Sequence, residues 1–376
     1  MLDRREFLST AAAAALAASS IARAAAPKRA FPEQAYSKAI VIDALGGPGG
    51  FEPDSTEPGL SAKAVADAKA SGVTAVNLTV NSVGNGPRKF EETVAGIADA
   101  EKWIADHPDY FMKVLTGADL KTAKTSGRMG FIYGFQDTSA LDGDLQRLAM
   151  FHGFGVRIVQ PVYNRRNLMG DGCLEPADGG LSTLGRELVA EINRLKILLD
   201  LSHAGARTQA DGIAASKVPM AITHTGCRAL VDVPRNTHDR ELKAVADRGG
   251  VVGIYFMPFL RASGQPHAED LIKHLEHAVN VCGEDHVGLG TDGGLSAIKL
   301  DEKYAAFQRK FFEDRAKAGI AAPGEAADVF NLVPEYNDEH RFFTLANDLS
   351  DRGWPAKRVE KILGANFARL FGDVWG

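Results

Sequence analysis

Cysteine is scarce: three residues in 376, at Cys173, Cys227 and Cys282. The odd count and wide spacing exclude a disulfide framework and a CxxC metal motif. Each thiol reads instead as a small buried side chain. Positive charge is not in excess either. The 43 Lys and Arg face 48 Asp and Glu, a formal net charge of −5, which offers no basic surface to a nucleic acid. The apolar run from Leu8 to Ile21 is 14 residues, short of the roughly 20 that span a bilayer. Gly153-Phe-Gly155 and Gly84-Asn-Gly86 lack the full dinucleotide or phosphate-loop pattern, and no nucleophile elbow surrounds Cys173 or Ser202. What remains is ordinary for a soluble globular chain: 45% hydrophobic and 24% charged residues.

The first 26 residues read as a targeting segment rather than fold. A charged start with Arg4-Arg5, then Phe7-Leu8, an Ala-rich stretch to Ile21 and Ala22-Arg23-Ala24 give an export signal with a small-x-small site. The paired arginines followed by Phe-Leu resemble a twin-arginine signal, a route that exports folded proteins. Cleavage is expected after Ala24, leaving 376 − 24 = 352 residues, soluble in the periplasm of a Gram-negative cell. Residues 27–376 then form one domain.

That remainder alternates strand and helix. Continuous apolar runs predict strands at 39–45, 73–80, 130–136, 155–160, 196–202, 219–224, 250–256 and 286–291, as for parallel strands buried on both faces. Between them lie amphipathic helices. Leu184, Leu188, Ile192 and Leu195 share a stripe over 182–195, and Val359, Leu363, Phe367 and Leu370 share one over 355–371. Eight such units predict a closed (β/α)8 barrel, with a doubly wound open sheet as the alternative. Phe111–Leu115 offers a ninth strand. A barrel needs about 250 residues, so insertions are expected at 46–60, 164–181 and 296–337. The last follows strand 8 and is placed to cover the active face.

In a barrel, chemistry gathers where strands end. Those ends carry Asp43, Gln136-Asp137, Tyr163-Asn164, His203, His224 and Asp292. His203 and His224 are 21 positions apart, which places them on neighbouring strands. Two imidazoles so placed suit one divalent ion, with a carboxylate near. His274 and His277 are set aside as a solvated helix face.

Several strings then resemble the renal or membrane dipeptidase family, zinc hydrolases on an amidohydrolase-type barrel. They are GLSTLGRELVAEINRLKILLDLSHAG (180–205), PMAITHTGCRAL (219–230), GGVVGIYFMPFL (249–260), HVGLGTDGG (286–294) and KILGANFARLFGDVW (361–375). The resemblance implies that His203 and His224 are metal ligands. It implies that Arg235 pairs with a substrate's terminal carboxylate, for which a planar guanidinium fork is suited. It implies that Asp292 takes the free amine and handles protons. It also implies a dipeptide substrate and a homodimer.

The departures lie at the centre of that pattern. Where the family opens strand 1 with Asp-x-His-x-Asp, this chain has Asp43-Ala44-Leu45-Gly46-Gly47. Leu45 has no lone pair and Gly47 no side chain. The bridging glutamate falls at Gln136, whose neutral amide is a poorer bridge between two dications. The substrate-polarising histidine falls at about Tyr163. At most one Zn2+ is therefore predicted, on His203 and His224, with Gln136, Asp137 or Asp292 adding an oxygen. Asp292 is then the proton acceptor and Tyr163 the donor to a developing oxyanion. The expected activity is hydrolysis of a dipeptide or related small amide. A non-catalytic peptide-binding relative and a barrel lyase or isomerase remain open.

Overall fold

The computed structural model describes residues 30–52, 59–84 and 86–376. The export segment at 1–26 lies outside the described residues. Eight parallel strands carry the fold: β1 (Ile42–Asp43), β2 (Ala75–Thr79), β3 (Met129–Phe135), β4 (Val156–Val159), β5 (Leu198–Leu199), β6 (Ala221–Thr225), β7 (Val251–Ile254) and β8 (Val287–Leu289). Ladders join β1 to β2, β2 to β3, β3 to β4 and β4 to β5, then β6 to β7 and β7 to β8. Short contacts on either side complete the circle, with Gly46–Gly47 pairing Gly293–Gly294 just beyond the ends of β1 and β8. Leu201 N–H donates to Ala221 O at 2.8 Å, and Ala44 N–H donates to Leu289 O at 2.9 Å. The chain is a (β/α)8 barrel, as its apolar runs predict.

Strands buried on both faces must be apolar throughout, and β3 (Met-Gly-Phe-Ile-Tyr-Gly-Phe) is buried at all seven positions. The inward residues Ile42, Ala75, Ile132, Ile158, Leu198, Ala221 and Val251 form one cluster with Phe367, Leu370 and Phe371. These three belong to the last helix, Asn366–Trp375. The outward residues pack with the surrounding helices into a second, larger cluster. The predicted ninth strand exists at Phe111–Lys113, but it pairs with the first residues of β3 and is no stave of the barrel.

The predicted helix over 355–371 is interrupted. It runs Ala356–Glu360, kinks at Gly364, whose backbone is not helical, and resumes at Asn366. Gly364 lies against strand 1: a Cβ there would meet Ile40 O and Ile42 N at 2.6 Å. The kink falls where the helix passes the strand backbone. The insertion after β8 carries a helix, Glu302–Lys317, whose N-cap Asp301 accepts from the backbone N–H groups of Lys303 and Tyr304. Beyond that helix the insertion is tied to the loop after β4. Asn164 Nδ2 donates to Ile320 O at 2.8 Å, and Arg165 Nε donates to Gly319 O at 2.6 Å. No helix among the described residues is long and apolar enough to cross a membrane.

Candidate functional site

His203 follows β5 and His224 lies in β6. Both are buried, at 3% and 0% exposure. Their ring centroids are 4.9 Å apart with planes at 61°. The surroundings fix which nitrogen carries each proton. Asn164 Nδ2 is engaged by Ile320 O, so Asn164 Oδ1 faces His203 Nδ1 at 2.6 Å. A carbonyl oxygen only accepts, so Nδ1 holds the proton and Nε2 keeps a bare lone pair. At His224, Nδ1 lies 2.9 Å from Thr223 Oγ1, whose own proton goes to Asp200 Oδ2 at 2.5 Å. Thr223 therefore accepts from Nδ1–H, and His224 Nε2 is bare as well. Among the described residues neither Nε2 has a hydrogen-bond partner. Burial first, then the Arg235 charge, holds both imidazoles well below their ordinary pKa, so both are neutral at pH 7. Two neutral imidazoles with ring orientation fixed by neighbours and lone pairs aimed inward are a metal-ligating arrangement.

The backbone helps to set this up. His203 sits at φ 63° and Asp292 at φ 60°, a left-handed conformation uncommon outside glycine and found at functional turns. Arg235 is 3% exposed, its Nη2 has no partner, and its guanidinium lies 5.5 Å from the Tyr255 ring and 5.8 Å from that of Phe259. Asp292 is pushed up to about 6 by burial, against the pull of Arg235 and Arg315. Tyr163 stacks on His203, with centroids 4.0 Å apart and planes at 26°. Burial raises its phenol, so the proton stays on. Arg235 acts electrostatically on His203, His224, Tyr163 and Asp292 alike. The fold thus gathers all five of these sequence-predicted residues at one end of the barrel.

Other expectations need correction. Asp137 has no oxygen to spare, because Asn81, Gly84 N and Ser139 occupy its carboxylate. Gln136 donates from Nε2 to Thr79 Oγ1 at 2.8 Å, which turns its amide toward β2. Among the described residues no group of three His, Cys, Asp or Glu is placed to hold a metal, so Asp292 does not join the two histidines as a ligand. Leu45 is buried, and among the described residues a Cβ at Gly47 would meet only Leu78 within 4 Å. The groups here that fit a metal are the two bare imidazole nitrogens of His203 and His224; Leu45 and Gly47 offer no ligand atom. His274 is no solvated helix residue. It is 1% exposed, accepts from Cys227 N–H at Nδ1 and donates from Nε2 to Leu260 O. Sequence reasoning missed Arg315, which reaches Tyr163 from the insertion after β8.

Barrel, paired imidazoles and buried guanidinium together define a hydrolase of the barrel metallopeptidase type. Residues 61–303 match the model of the membrane dipeptidase family, peptidase family M19, and the chain belongs to that family. An uncharacterized protein of the pqqA 5′ region of Klebsiella pneumoniae is 29% identical over 290 residues, 74% of this chain and 94% of its own length. Dipeptidase tcpJ of Claviceps purpurea is 33% identical over 253 residues, 66% of this chain but only 52% of that protein. Among solved structures, an amidohydrolase from Pseudomonas aeruginosa superposes with TM-score 0.79 at 35% identity, covering 92% of this chain and 99% of that one. A metallo peptidase from Rhodobacter sphaeroides, liganded with a phosphinate mimic of L-Ala-D-Ala, shares the fold at TM-score 0.72 and 22% identity, over 90% of this chain and 100% of that one.

Proposed function

We propose that the protein is a periplasmic dipeptidase-like hydrolase that works with one zinc ion held by His203 and His224. The observation that carries this reading is the pair of bare, buried Nε2 lone pairs, each fixed in its tautomer by a neighbour. When bound, the ion supplies Lewis acidity toward a carbonyl and toward water. Arg235 Nη2 takes the terminal carboxylate of a dipeptide, and the flanking Tyr255 and Phe259 rings keep its fork in one plane. Asp292 anchors the free amine. As the water oxygen bonds to the carbonyl carbon, an Asp292 oxygen accepts the proton, and it returns that proton to the leaving nitrogen as the C–N bond breaks. Tyr163 O–H donates to the carbonyl oxygen as negative charge develops there.

The test combines metal analysis of the purified protein with a panel of dipeptides. Close to one zinc per chain and cleavage of at least one dipeptide are expected. His203→Ala and His224→Ala should each lose the metal and at least a hundredfold of the activity. Zinc-free protein that gains no activity on adding zinc refutes the reading. The absence of a third carboxylate or imidazole ligand favours one rival, a receptor that binds dipeptides without cleaving them. It would show saturable calorimetric binding, weakened by Arg235→Ala, and no product.

A further inference from the structure

We infer that Arg315, on the helix inserted after β8, is a positioning residue that aims the hydroxyl proton of Tyr163 into the substrate pocket. Arg315 Nη1 donates to Tyr163 Oη at 3.2 Å. A phenol oxygen has one proton and two lone pairs. With the guanidinium donating into one lone pair, the proton must point elsewhere, and among the described residues no hydrogen bond takes it up. The ring cannot swing away, because it stacks on His203. Nor can the guanidinium. Its Nε and Nη2 form a fork to Glu325 at 2.7 and 2.9 Å, and the Glu325 side chain is 4% exposed. Glu325 in turn accepts from Ala322 N–H at 2.9 Å. The chain of contacts Ala322–Glu325–Arg315–Tyr163 therefore runs from the insertion to the pocket, parallel to the ties from Ile320 and Gly319 to the loop after β4.

The O–H left over is the one hydrogen-bond donor that Tyr163 can offer to the oxygen of a scissile amide. This inference rests on the proposed hydrolysis, and it assigns to the insertion a part in the chemistry beyond covering the site. Removing Arg315 leaves the phenol in place and frees its proton to rotate, so the loss falls on species that carry an oxyanion.

Two non-cleavable probes separate these effects in zinc-loaded protein by calorimetry: a phosphinate mimic of L-Ala-D-Ala, and the analogue with a methylene in place of the phosphinate group. Tyr163→Phe and Arg315→Met should each weaken phosphinate binding by about tenfold or more, and the methylene analogue by less than about twofold. The double variant should be no weaker than Tyr163→Phe within about twofold, because one donor is lost once. Arg315→Lys, which keeps an N–H donor, should recover part of the loss. Glu325→Gln should lose phosphinate affinity in the same sense while melting near the parent temperature. Unchanged phosphinate affinity in Arg315→Met, or equal loss for both probes, overturns the inference while leaving the hydrolase reading intact. A parent protein that binds neither probe refutes both.

Discussion

A histidine ring meets its ligand with either a proton or a lone pair, and at both imidazoles here the neighbours decide which. The residue types were legible: His203, His224 and Asp292 stand at strand ends and Arg235 in the loop after β6, in strings a reader can align. The tautomer of His224 turns on its own neighbour Thr223, but that of His203 was not legible, because it depends on groups distant in sequence. Asn164 is turned by Ile320, 156 positions on, and Tyr163 is met by Arg315, 152 positions on. No local pattern encodes such contacts. Leu45, Gly47 and Gln136, by contrast, offer no imidazole or carboxylate, and that much is plain in the sequence. That lack also makes a prediction. A Cβ at Gly47 would meet only Leu78 Cδ1 at 3.4 Å, so a carboxylate can be placed there. The triple variant Leu45→His, Gly47→Asp, Gln136→Glu should raise bound zinc from about one to about two per chain by elemental analysis. A stoichiometry that stays at one would show that the second site needs more than its ligands.

At the scale of elements, apolar runs located every stave of the barrel but overstated its length. The run at 196–202 holds only Leu198–Leu199 in a ladder, yet Leu201 and Ser202 beyond it are just as buried. Hydrophobicity records burial, and burial continues past the last ladder bond into the turn that carries His203. The helix over 355–371 shows the opposite failure. Its stripe was read correctly, and the close approach of strand 1 that breaks it is invisible in a stripe. Gly364→Ala should destabilise the fold by about 3 kcal/mol, at the upper end of the usual cost of forcing atoms into packed space, because the clash is with backbone rather than a movable side chain. Chemical denaturation of purified protein checks this, and a loss below about 0.5 kcal/mol would show that the kink relaxes freely.

For the molecule as a whole, barrel and family were legible together, whereas what closes the circle was not. Asp43, at the end of strand 1, is fully buried and accepts from Thr291 N–H at 2.8 Å and from Thr291 Oγ1 at 2.6 Å. Burial pushes its carboxyl up to about 7, against the pull of those bonds and of Arg341. The unfolded chain releases the same proton near 4. The folded state therefore holds the proton more tightly, and Asp43's contribution to stability is full below about pH 4 and lost as pH rises to about 7. The scale is about 1.4 kcal/mol per pH unit across that window. Other carboxylates titrate too, so the measurement is a difference: unfolding free energy against pH for the parent and for Asp43→Asn. The parent should lose stability relative to the variant between pH 4 and 7, and parallel curves would contradict the assignment.

Asp43 and Thr291 stand 248 positions apart. A nascent chain emerging from the ribosome must expose its first stave for most of its synthesis before the partner exists. Until then the sheet has an open rim, which invites pairing with other chains, and the last seam to be sewn is also the slowest kind to form. Truncated translation products that stop short of Thr291 should therefore be clients of chaperones and proteases, however well their earlier staves are formed.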